Sequence, residues 1–176
     1  MSLPQCENVI LYVLENKPGT GKTAVMKILY MLQQVKNIKM GLSFDVYTYG
    51  PYTSEVYDHL DCLISEGYIS SCMYHMNNYV GYQLNITDTG KQRMEKLNKK
   101  ELECIKEIIA FTSGKTAKAL ELYSTIIFVD NLYHVNKLSN GRQRIVENVR
   151  DLKPRFSLEE ITNAYNELTQ IKYIAA

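Results

Sequence analysis

The residues with the most obvious chemical potential are Gly19-Thr20-Gly21-Lys22-Thr23, because a phosphate-binding loop ends in this way. Such a loop also needs a glycine six residues before the lysine and a buried strand leading into it. Asn16 occupies the glycine position, and Val9 to Glu15 read as helix. The string is therefore read as a glycine-rich turn in which Thr20 caps a helix, and no nucleotide is expected there. A second candidate is His59-x-x-Cys62 with Cys72-x-x-His75, two Cys and two His in the inventory of a zinc site. On a helix, His59 and Cys62 share a face; on a regular strand, Cys72 and His75 point to opposite faces and converge only at a bulge. No metal is expected, with Cys62 read as a core residue and His59 as solvated. No serine or cysteine nucleophile stands in a recognisable elbow beside a histidine. The expectation is a protein that is not an enzyme and has no cofactor.

Cys6, Val9, Ile10 and Val13 recur at helical spacing until Pro18-Gly19. Val25, Ile28, Leu29 and Leu32 form the stripe of a second helix. Phe44 to Tyr49 reads as a strand stopped by Gly50-Pro51. A third helix begins at Thr53 or Ser54, carries Val56, Leu60, Leu63 and Ile64, and ends at Gly67. Leu29, Leu60, Leu63 and Ile64 are expected to meet between the second and third helices. Tyr68–Tyr74 and Tyr79–Ile86 read as a hairpin around the polar tip His75-Met76-Asn77-Asn78. Thr87 to Gly90 then opens a helix running through Met94 and Leu97. This order predicts an α+β, mostly α fold: a winged helix-turn-helix domain over 1–97, followed by a helical extension over 98–176 that packs on it or mediates oligomerisation. Within the extension, helices are expected over Glu101–Phe111, Thr116–His134, near Ile145 and from Leu158. The last has a capping box, Ser157 with Glu160.

Gly21-Lys22-Thr23 leading into Lys27 to Leu32, Tyr49-Gly50-Pro51-Tyr52, Leu60-x-x-Leu63 and Gly67-Tyr68-Ile69 resemble the YwgA-like proteins and the related Panacea domain of antitoxins. Leu120-Glu121-Leu122, Thr125-Ile126 and Lys153-Pro154-x-Phe156-Ser157 are similar to the helical second half of the same chains. Tyr82-Gln83-Leu84 with Thr87-x-x-Gly90 resembles the wing end of PadR- and MarR-type regulators. The resemblance implies a winged helix and a regulatory or antitoxin-like role, without implying a reaction.

Charge narrows the choice of partner. The 176 residues carry a formal net charge of +1, distributed as +3 over residues 1–39, −6 over 40–90 and +4 over 91–176. The middle block holds the third helix and the wing, which normally meet DNA, yet it has no Lys or Arg. Phosphate neutralisation supplies much of the affinity of DNA-binding proteins, so such a helix is repelled. Lys22, Lys91, Arg93, Arg142 and Arg144 are the candidate nucleic-acid contacts, outside that block. Tyr52, Asp58 and Tyr79 are the candidate partner-binding residues, drawn from a chain with fourteen tyrosines that either anchor a partner or fill strand faces. The fold and the resemblance favour a DNA-binding transcriptional regulator; the acidic third helix favours a protein-interaction module, antitoxin-like or adaptor-like. A homodimer is compatible with both. The four cysteines lack a CxxC pair, no apolar run spans a membrane and no secretory leader is evident, so a cytoplasmic protein with free thiols is expected.

Overall fold

A computed structural model describes residues 2–76, 79–136 and 141–174. Its elements are α1 (Gln5–Asn16), α2 (Lys22–Gln34), β1 (Asp45–Tyr47), β2 (Gly50–Tyr52), α3 (Ser54–Ser65), β3 (Ile69–Met76), β4 (Tyr79–Ile86), α4 (Asp88–Arg93), α5 (Lys99–Thr112), α6 (Ala117–Val135), α7 (Arg142–Leu152) and α8 (Leu158–Gln170). The chain forms two compact units. One comprises 1–44 and 53–114, the other 45–52 and 115–176. This division differs from a cut at 97/98, because α5 packs on α1 and α2 while β2 packs on α6.

The first unit is a winged helix-turn-helix. Val9, Ile10, Val13 and Leu14 of α1 are fully buried, and α1 packs against α2, α3, α4, α5 and β4. Val25, Ile28, Leu29 and Leu32 of α2, with Val56, Leu60 and Leu63 of α3, are also fully buried. Ile64 is half-buried, and α3 rests chiefly on α1 and β3, so the expected convergence on α2 is redirected through the central helix. The antiparallel strands β3 and β4 form the wing. They run out to Met76 and back from Tyr79, so His75 and Met76 belong to the strand where a tip was expected; Asn77 and Asn78 lie outside the described residues.

The turn after α1 acts as a short edge partner of the wing. Gly19 N–H donates to the Leu84 carbonyl at 3.0 Å and to Asn85 Oδ1 at 2.8 Å, and Leu84 N–H donates to the Thr20 carbonyl at 3.1 Å. The Gly19 amide is thereby spent on the wing. Gly21, not Thr20, is the N-cap of α2, and the Thr20 hydroxyl donates backwards to the Lys17 carbonyl. After the wing, α4 ends at Arg93 because Met94 turns extended, with φ −56° and ψ 134°. The helix expected through Leu97 therefore stops four residues sooner, and the next, expected from Glu101, starts at Lys99 behind a capping box formed by Asn98 and Glu101.

In the second unit α6, α7 and α8 pack pairwise around Ile126, Ile127, Ile145, Val149, Phe156, Ile161 and Leu168. Gly50-Pro51, expected to stop a strand, instead forms its antiparallel partner β2, in register Tyr47↔Gly50 and Asp45↔Tyr52. Gly50 has φ +85°, which permits the tight return, and a Cβ there would stand 3.2 Å from Ser124 Oγ and Thr125 Oγ1 on α6. The hairpin turn is fixed from below by Lys153, whose Nζ donates to the carbonyls of Tyr47 and Thr48, both at 2.6 Å. Lys153 and Glu121 are both buried and lie 3.4 Å apart, and Arg155 makes a second ion pair to Glu121. A buried charge is tolerated when it is paired: Lys153 also donates to the two carbonyls and Glu121 Oε2 accepts from Arg155, while Glu121 Oε1 has, among the described residues, only the ion pair to Lys153.

Candidate functional site

In a winged helix the outward side of α3 and the adjoining wing are the surfaces offered to a ligand. The α3 backbone starts from Thr53, whose hydroxyl accepts from Glu55 N–H at 3.3 Å, and the following turn closes at Gly67 with φ +76°. Burying Val56, Leu60 and Leu63 turns Ser54, Asp58, Asp61 and Ser65 outward, all exposed and spaced as one helical stripe. Cys62, one turn above Asp58, is exposed as well. His59 turns inward, half-buried, with Nδ1 3.0 Å from Oε1 of the buried Glu7. This reverses the expected placing of Cys62 in the core and His59 in solvent, because the α3 stripe that packs on α1 includes position 59. Partial desolvation, with Glu7 and then Glu66, pushes the Cys62 thiol pKa up.

The zinc inventory does not converge. His59 engages Glu7, and on β3 Cys72 and His75 pair across the wing with Gln83 and Val80 in regular register, which places them on opposite faces. Among the described residues no three His, Cys, Asp or Glu side chains are grouped to hold a metal.

The candidate cations are mostly engaged locally. Lys22 Nζ is 3.2 Å from Asp61 and sits 5.3 Å above the Tyr82 ring and 5.7 Å from that of Tyr57. On and after α4, Lys91 lies 3.7 Å from Asp88 and Arg93 lies 3.2 Å from Glu95. Arg142 and Arg144 are exposed on α7. Of the candidate partner-binding residues, Asp58 is exposed, and half-buried Tyr52 meets Tyr47 edge to face at 5.4 Å between centroids. Tyr79 holds its place in β4, but its side chain lies outside the described ones. The candidates therefore divide between units: Lys22, Lys91, Arg93, Asp58 and Tyr79 in the first, Arg142, Arg144 and Tyr52 in the second.

Residues 25–125, more than half of the chain, match the family described as antitoxin SocA-like, Panacea domain. The chain belongs to the SocA-like Panacea family. It is also similar to the uncharacterized protein YwgA of Bacillus subtilis (strain 168), 22% identical over 154 residues and covering 88% of each chain. Among solved structures, PadR of Bacillus subtilis in complex with operator DNA aligns over 94% of both chains, at 13% identity and a TM-score of 0.38. The winged-helix assignment rests on the element order and packing of the first unit. The Panacea match runs from Val25 in α2 to Thr125 in α6, so it takes in α3, the wing and the β1–β2 hairpin, and leaves α1, α7 and α8 outside.

Three exposed wing residues, Met73, Val80 and Tyr82, were not singled out in the sequence as one surface. Their signal was present in the alternation of β3 and β4, but the depth to which the unit covers the wing is a tertiary property. No helix among the described residues is long and apolar enough to cross a membrane.

Proposed function

We propose that this Panacea-family chain is an antitoxin-like binding module that acts by holding a partner protein through the α3 side of its winged helix. The observation that carries this reading is the charge of that side: α3 with its C-cap carries Glu55, Asp58, Asp61 and Glu66 and no Lys or Arg, and Asp58 and Asp61 are exposed. A helix of that character entering the major groove would set carboxylates against phosphates, a repulsion in place of the counterion release that drives DNA binding. The family's antitoxin description supports a protein as the ligand. The test is a photo-crosslinking residue at position 58, introduced into the full chain in its native host. A discrete protein adduct is expected, and adducts to DNA without protein would overturn the reading.

A DNA-regulator role remains the competing reading on one observation, the exposed pair Arg142 and Arg144 on α7. It requires DNA to be held away from α3, and it predicts salt-dependent duplex binding that those two residues carry.

A further inference from the structure

The wing leaves three large side chains of one face exposed to water. Side chains alternate along a strand, so the register pairs Ile69↔Ile86, Ser71↔Leu84, Met73↔Tyr82 and His75↔Val80 share one face. At its base this face buries Ile69 and Leu84. Further out the same face continues beyond what the unit covers, leaving Met73 58%, Val80 45% and Tyr82 41% exposed. The opposite face carries the pairs Ser70↔Asn85, Cys72↔Gln83, Tyr74↔Gly81 and Met76↔Tyr79, with the Tyr74 ring laid across Gly81, where a Cβ would strike it. Beyond the buried Ile69 and Leu84, Met73, Val80 and Tyr82 are thus large side chains that the first face leaves uncovered.

This apolar strip adjoins the acidic side of α3. The connection is Lys22, which touches Asp61 and Tyr57 on α3 and Tyr82 on the wing at once. The seam between helix and wing thus accepts an ammonium group between a carboxylate and two aromatic rings, an arrangement that favours a cation on both counts. Asp58, one turn before Asp61 on the same stripe, is open to a second cation.

We infer that the wing strip Met73, Val80 and Tyr82, together with Asp58 and Asp61 of α3, is a docking surface for a partner segment that alternates apolar with Lys or Arg side chains. The apolar side chains cover the strip, and the cations pair with the α3 carboxylates. Charge complementarity selects this occupant: Glu55, Asp58, Asp61 and Glu66, on an α3 without a Lys or Arg, attract a basic segment and repel a phosphate backbone. In the free protein Lys22 holds part of the place that a partner's cation takes, which makes it a built-in competitor. This inference rests on the protein-binding reading above and gives that reading its partner chemistry.

The test is fluorescence polarisation of the full chain with a labelled twelve-residue peptide alternating leucine and lysine. Two paired variants, Asp58→Asn with Asp61→Asn and Met73→Ser with Tyr82→Ser, should each weaken binding by about tenfold or more, as loss of paired charge or of an apolar anchor does. Asp151→Asn with Glu159→Gln, exposed carboxylates of the second unit, should leave binding unchanged. Lys22→Met should tighten it by a few-fold, because Asp61 is released to the peptide. Circular dichroism shows whether each variant is folded. The inference is overturned if the peptide does not bind, if the control pair weakens binding as much as the site pairs, if Lys22→Met weakens it, or if duplex DNA displaces the peptide from the native surface. A protein adduct at position 58 without peptide binding removes this partner chemistry alone, whereas failure of both experiments removes the protein-binding reading too.

Discussion

Leu60 shows what a single α3 residue contributes: it is fully buried on the side that meets α1 and β3. Leu60→Ala should cost about 2 to 5 kcal/mol, the range for truncating a buried leucine, read from urea unfolding; a variant as stable as the native chain would show the core can collapse around the loss. The cysteines behave differently according to burial. Desolvation, followed by Glu7 and Glu55, pushes the Cys6 thiol up to about 12, whereas Cys62 and Cys72 are exposed. A thiol reagent at neutral pH should therefore label Cys62 and Cys72 in the folded protein and Cys6 only after unfolding, because the thiolate is the reactive form. Labelling of Cys6 at the native rate of the other two, located by mass spectrometry, would contradict its placement.

The elements owe their limits to a few local groups, and the start of α8 is the clearest. Ser157 Oγ accepts from Glu160 N–H at 3.1 Å, and Glu160 returns the bond to Ser157 N–H at 2.7 Å. Ser157→Ala should cost about 0.5 to 2 kcal/mol. The bond from the Ser157 backbone, then that from its side chain, holds the Glu160 carboxyl below its ordinary value of 4.5. A depressed folded pKa means that this contribution is complete above the unfolded value and is lost as pH falls through the folded one. Glu160→Gln should accordingly remove part of the acid sensitivity of unfolding, seen as a flatter melting-temperature profile below the ordinary carboxylate value. The β1–β2 hairpin depends on Gly50 in a similar way. Gly50→Ala forces a side chain into φ +85° and against α6, so a loss of about 1 to 3 kcal/mol is expected on thermal melting.

At the scale of the whole molecule, the second unit is discontinuous in sequence, since 45–52 joins 115–176. A fragment of residues 98–176 lacks the hairpin that Lys153 and α6 receive, leaving a buried ammonium without the Tyr47 and Thr48 carbonyls. It should melt with less cooperativity than the corresponding transition of the full chain, which calorimetry would register. The charge distribution sets the other molecular prediction. Should the full chain bind duplex DNA at low salt, Arg142→Ala with Arg144→Ala is expected to flatten the slope of log affinity against log salt by up to about 2. An unchanged slope would place any phosphate contacts elsewhere.

Taken by itself, the sequence determined what depends on neighbours along the chain. Helical stripes, the Thr53 start and Gly67 stop of α3, the Ser157–Glu160 box and the order of elements in the winged helix were all legible, because capping and periodicity act within a few residues. So was the absence of Lys and Arg from residues 40–90, a fact of composition. The tertiary structure decided what depends on partners distant in the chain. It turned His59 towards Glu7 and Cys62 outward, spent the Gly19 amide on Leu84, and gave Gly50-Pro51 to β2 because α6 lay ready to receive it. It alone decided where cover over the wing stops. Alternation places Ile69, Met73, Val80, Tyr82 and Leu84 on one face of β3 and β4, but only packing distinguishes the buried Ile69 and Leu84 from the exposed Met73, Val80 and Tyr82.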